Sequence, residues 1–163
     1  MTEENLSAVP EKEARPEGID QRVEARIAAI KALYSNELNE EKKSAAQLAL
    51  EMITMYESKQ DDELVKPDRR YLKQLLEGVM EHQAVIDEKI SSHLQAGWKI
   101  ERLGAVMLSL LRSAVFEILK YEKLNLKVII NEYVEIAHGF FEKKEVNFVN
   151  GVLDKIAKEA RSA

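Results

Sequence analysis

The sequence predicts an all-α fold, a helical bundle, and three observations carry that expectation. Apolar residues recur at the three-and-four spacing of helices buried along one stripe in segment after segment. No stretch alternates apolar and polar residues for long enough to build a sheet, and Val128–Ile130 is the one strongly β-branched run. The span Ile100 to Tyr121 carries Val106, Met107, Leu108, Leu110, Leu111, Val115, Ile118 and Leu119 on more than one face, the pattern of a central helix contacted from several sides.

Residues 1–19 read as a disordered acidic tail. They hold two of the three prolines and few large apolar side chains, too little to offset the entropy of ordering. The first helix is expected near Ile19 or Asp20, with Asp20 as N-cap and Val23, Ile27, Ile30, Leu33 and Leu38 as its stripe, until Asn39 and the charged Glu40 to Lys43 break the pattern. A second runs from about Ser44 to Ser58 on Leu48, Met52, Met55 and Tyr56, and Lys59 to Val65 reads as a loop. Pro67 and Asp68 start a third, where a missing donor is harmless and an acid meets the positive end of the dipole. Its stripe extends to about His93, with a break near His82. Gln95 to Lys99 is a connector ahead of the central helix. Asn125 starts the next helix, Leu126 to about Phe140, and Asn147 or a neighbour the last, striped by Phe148, Val149, Val152, Leu153, Ile156, Ala157 and Ala160. Gly151, inside that helix, costs about 1 kcal/mol against alanine. Close approach of a neighbouring helix backbone is the expected compensation, a turn at Asn150-Gly151 its rival.

A chain of 163 residues is about one domain, long enough to bury roughly 70% of its unfolded surface without covalent staples. With no cysteine, disulfides and thiolate metal sites are excluded. No apolar N-terminal segment resembles a signal peptide or a membrane span, so a cytosolic protein is expected. The net charge is −5, but residues 1–19 hold five acids against Lys12 and Arg15, leaving a nearly balanced body. Such a body can hold a small basic patch and cannot supply the broad field of a protein that coats RNA by itself.

Motifs for catalysis are absent. Glu132, Glu135 and His138 form an E-x-x-E-x-x-H series, but a di-iron bundle needs a Glu-x-x-His pair on each of two helices and Glu135–His138 is the single such pair, so a solvated face is the preferred reading. The glycines build no phosphate cradle, the three histidines sit in no nucleophile-base arrangement, and Asp61-Asp62-Glu63 lacks the stagger of a calcium loop. No metal, no cofactor and no enzymatic activity are expected. Arg22 and Arg26, four apart on the first helix, project from one face toward neighbouring phosphates, and Tyr34 two turns on offers a stacking surface to an unpaired base. Against that, two arginines near a helix start are ordinary surface, and a tyrosine beside Leu33 is more often core.

FVNGVLDKIAKE, Phe148 to Glu159, closely resembles the C-terminal signature of the NusB family of transcription antitermination factors, and VIINEYVEIA, Val128 to Ala137, resembles the helix before it. RVEARIAAIKALY, Arg22 to Tyr34, looks like the family's arginine motif and its A-L-Y segment. Tyr71 to Leu94 is similar to its third helix, and Leu103 to Leu119 to the helix carrying I-L-R and Y-E-L. The resemblance implies two small helical subdomains, about 20–95 and 100–161 within a domain of 20–163. It also implies a partner, the ribosomal protein that doubles as NusE, with which the chain would bind the single-stranded boxA element of nascent ribosomal RNA and help RNA polymerase read through terminators. A mildly acidic subunit suits a basic ribosomal partner. Carried across by position, Arg22 and Arg26 would contact phosphates, Tyr34 a sugar or base, and Phe148 would be a second aromatic on the same RNA surface, although its periodicity points toward the core.

The sequence departs from the family in places. Val23 and Glu24 thin the arginine cluster, Met107 and Leu108 stand where relatives commonly carry charge, Phe141 replaces a glycine, and Lys143-Lys144 occupy a loop relatives often make acidic. A scaffold of the same fold with little intrinsic RNA binding is therefore the alternative. A NusB-like domain also precedes the catalytic domain of ribosomal-RNA cytosine methyltransferases, but this chain has neither the α/β cofactor domain nor the nucleophilic cysteine that route needs. The acidic tail is a candidate competitor with RNA for Arg22 and Arg26.

Overall fold

The structure is a computed structural model, and it describes residues 17–121 and 125–162. Helix α1 spans Glu17–Leu38. It begins before the expected position, so Asp20 lies inside the first turn and is not the N-cap; residues 1–16 of the expected tail lie outside the described residues. Helix α2, Ala45–Ser58, opens on a reciprocal cap. The Ser44 hydroxyl accepts from the Gln47 amide at 3.1 Å while the Gln47 side chain accepts from the Ser44 amide at 3.0 Å, satisfying two donors that a helix start leaves orphaned. Helix α3, Arg69–Glu81, is capped by Asp68, whose carboxylate accepts from the Tyr71 amide at 3.0 Å. The expected break falls at His82, and α4 follows at Gln83–Ser91.

The central segment differs from the expected single helix. Ile100–Leu103 is a 3-10 turn, Gly104 sits at φ 82°, a backbone region that glycine enters without steric cost, and α5 starts only at Ala105, ending at Lys120. Helix α6, Leu126–Phe140, starts where expected, with the Asn125 side chain accepting from the Lys127 amide at 2.8 Å. Helix α7 runs Lys143–Ser162, several residues earlier than expected: Val146 is buried in phase with Val149, and Glu145 lies in the first turn at the positive end of the dipole. Lys143 and Lys144 thus open a helix and do not form a loop.

The centre of the bundle is α5, which packs against α1, α3, α4, α6 and α7. Its unbroken buried run from Met107 to Ile118 explains the apolar residues on every face, and Met107 and Leu108, the departures from charged positions, belong to it. Around it, Ile30 of α1, Leu72, Leu75 and Leu76 of α3, Ile86 and Ile90 of α4, Ile129 and Tyr133 of α6, and Leu153 and Ile156 of α7 are fully buried in one continuous core. Tyr56 donates a hydrogen bond to Glu24, joining α2 to α1. No described helix is long and apolar enough to cross a membrane.

Helices α3 and α5 approach closely at Gly78, where the Phe116 ring lies directly over the glycine. A methyl group at 78 would collide with that ring, which is itself buried and parallel to His82. Gly78→Ala is expected to lower stability by about 1–3 kcal/mol through overpacking, despite the better helix propensity of alanine. Urea denaturation checks this, and a second change, Phe116→Leu, should return part of the loss.

Candidate nucleic-acid interface

Arg22 and Arg26 leave α1 one turn apart, but the bundle treats them differently. Glu117 of α5 is completely buried, and a buried carboxylate requires partners. It has three, through four hydrogen bonds: Arg26 donates from Nε at 2.7 Å and from Nη2 at 3.1 Å, and the hydroxyls of Tyr71 and Tyr133 each donate at 2.5 Å. Arg26 Nη2 also donates to the Tyr71 hydroxyl at 3.0 Å, and Ser113 lies within hydrogen-bond distance of Tyr133 at 3.1 Å. Arg26 is only 7% exposed, which corrects its expected place as a phosphate contact: its guanidinium is engaged inside the protein. Burial alone would lower the Arg26 pKa, but the hydrogen bonds and charge of Glu117 outweigh it and raise the value. Burial, followed by the Glu117 charge, pushes the Tyr71 and Tyr133 phenols up.

Arg22 remains exposed. Its guanidinium lies over the Tyr71 ring, 5.5 Å from the centroid, and Tyr71 in turn stacks on Tyr121 at 6.3 Å with rings 7° from parallel. The ion pair beneath therefore fixes the tyrosine that carries the surface cation. Tyr34 is 38% exposed whereas Leu33 beside it is buried, so the stacking reading of Tyr34 is geometrically open. Twelve residues separate Arg22 from Tyr34, about 18 Å along the helix. The last turn of α1 is held by Arg112 of α5, which donates to Glu37 at 3.1 Å and, bidentately, to Asp87 of α4 at 2.8 and 2.9 Å.

Phe148, in the first turns of α7, is partly buried and lines a groove of about 470 Å³ between the 95–103 connector, α5 and α7. Trp98, Arg102, Lys144 and Lys155 surround the same space. Gly151 opens onto it: a Cβ there would meet nothing within 4 Å, so the expected close approach of a neighbouring backbone is not the reason for this glycine. Sequence reading missed Trp98, Arg102 and Lys155. The available signal was Trp98 itself, the one tryptophan in the chain, placed in a polar connector. Glu135 and His138 lie on the exposed side of α6.

The sequence model of the NusB family matches residues 23–158. The transcription antitermination protein NusB of Caulobacter vibrioides is 37% identical over 143 residues, covering 88% of this chain and 96% of the relative. The structure of T. maritima NusB aligns with a TM-score of 0.68 at 28% identity, covering 87% of this chain and 97% of that one. A chain from the crystal structure of antitermination factors NusB and NusE in complex with dsRNA aligns with a TM-score of 0.71 at 28% identity, covering 86% and 98%.

Removing the acceptor of the buried network should be costly. Glu117→Ala leaves the Arg26 guanidinium charged and unpaired inside the bundle, and a loss of about 3–5 kcal/mol is expected from chemical denaturation. Tyr71 and Tyr133 add a pH signature. Their folded values lie above the ordinary phenol value of 10.0, so the stabilisation is fully present below about pH 10 and is lost as pH rises through the folded values. Denaturation midpoints should fall above about pH 10, less steeply in Tyr133→Phe.

Proposed function

The chain belongs to the NusB family, and we propose that it acts as the family's non-catalytic RNA-binding subunit, pairing with ribosomal protein NusE on the single-stranded boxA element of nascent ribosomal RNA. In this reading it joins the antitermination complex on RNA polymerase in the cytoplasm, and its two subdomains, about 20–95 and 100–161, act as one rigid support. The observation that carries it is the arrangement on α1: an exposed Arg22 backed by Tyr71, with an exposed Tyr34 about 18 Å along the same helix. Arg22 takes a phosphate, Tyr34 a sugar or base, and Phe148 a second base, while Arg26 supports Arg22 from below through Tyr71. The likeness to a NusB chain solved with NusE and RNA supports the same reading.

Charge explains why a partner is needed. Arg22 alone on the α1 face of a chain of net charge −5 neutralises too little phosphate to hold a transcript firmly. A basic ribosomal protein docked on this chain adds cationic surface beside it and is itself attracted by the acidic excess.

The burial of Arg26 favours a second reading, a protein-interaction scaffold with little RNA recognition of its own, since it removes one of the two family arginines from solvent. Titration of labelled boxA and shuffled RNA with the chain, with and without NusE, separates the two. RNA binding with a boxA preference is expected, strongest in the mixture, and no preference in either mixture would favour the scaffold. Arg22→Ala should flatten the salt dependence by about 0.7 in log–log slope, the share of one single-strand phosphate contact. Tyr34→Ala should weaken binding by roughly 1–3 kcal/mol.

A further inference from the structure

We propose that the groove between the 95–103 connector, α5 and α7 is a base-stacking subsite for single-stranded RNA, built on Trp98 and ringed by Arg102, Lys144 and Lys155; this rests on the RNA-binding reading above and extends its footprint from α1 and Phe148 to the connector. Trp98 is 53% exposed, although a large aromatic side chain would ordinarily be driven under cover. Gly97 before it has φ 87°, a backbone turn that glycine adopts without strain and that leads directly into the tryptophan. Phe148 supplies a second aromatic wall from α7.

The charge around this space is opposite in sign to that of the chain. Arg102, Lys144 and Lys155 line it against Glu145 alone among the acids, and among the described residues none of the three cations is held in a salt bridge. Aromatic surface interleaved with uncommitted cations is the chemistry that holds unpaired nucleotides: bases stack on the rings while the backbone follows the positive charges. Asn147 and Gln95 at the rim offer donors and acceptors to a base edge. The missing side chain at Gly151 leaves the groove open at that point, where even a Cβ would meet nothing within 4 Å.

Because Trp98 is the single tryptophan, its emission reports on this groove alone. The intact chain is titrated with short single-stranded boxA RNA, with NusE alone, and with both, while anisotropy of labelled RNA is followed in parallel. Saturable quenching of Trp98 by RNA that tracks the anisotropy curve is expected. Trp98→Ala should weaken RNA binding about tenfold and Trp98→Phe much less, in line with the measured worth of one stacked base. Gly151→Leu fills the groove from an exposed helical position without deleting a contact, so it should abolish quenching and weaken RNA binding while leaving thermal stability at least unchanged. RNA binding with unaltered Trp98 emission would overturn the subsite and leave the α1 reading standing. A change produced fully by NusE alone would overturn it in favour of a protein interface. Absence of RNA binding in every mixture would overturn both.

Discussion

A single buried carboxylate organises this bundle. Glu117 sits in the last turn of α5, the helix that α1, α3, α4, α6 and α7 pack against, and its four hydrogen bonds come from α1, α3 and α6. Taking a carboxylate and a guanidinium out of water carries a penalty of several kcal/mol per ion, and mutual attraction offsets it only when the remaining lone pairs are also satisfied. Here they are, by two phenols. The network also constrains register: apolar stripes can slide against one another, whereas a bidentate arginine and two tyrosine hydroxyls converge on Glu117 in one arrangement.

Most of the fold was legible because the signals were local. The helix starts near Ser44, Pro67-Asp68 and Asn125 and the break at His82 each depend on neighbours within one turn, and each stands within about two residues of where the sequence puts it. The central position of α5 was readable from its all-round apolarity. The errors came where a long-range or conformational condition decided the outcome. Gly104 divides the expected helix because its backbone adopts a positive φ, which composition alone does not reveal. The last helix starts early because Val146 extends the buried stripe through residues too polar to read as one.

The site was less legible for a related reason. Arg22 and Arg26 are alike in sequence, both in a charged stretch at the start of a helix. What separates them is Glu117, 91 residues away from Arg26. The clue lay on the other helix: an acid amid Phe116, Ile118 and Leu119, on a helix that is apolar on several faces, is buried with it and needs partners from neighbouring helices. The groove at Trp98 was hidden because its wall comes from a connector whose path depends on Gly97, and connectors carry no periodicity to extrapolate.

The contrast between the two arginines also bears on how such a surface can change over generations. Arg22 meets the rest of the bundle through the face of Tyr71, and the cations around Trp98 are held in no salt bridge among the described residues, so drift can retune them one residue at a time as partners and transcripts diverge. Arg26 has no such freedom, because Glu117 and Tyr71 would each lose a hydrogen-bond partner along with it and the Tyr133 ring would lose the cation above it. Innovation is thereby confined to the rim, above an inherited foundation that can be replaced only as a set.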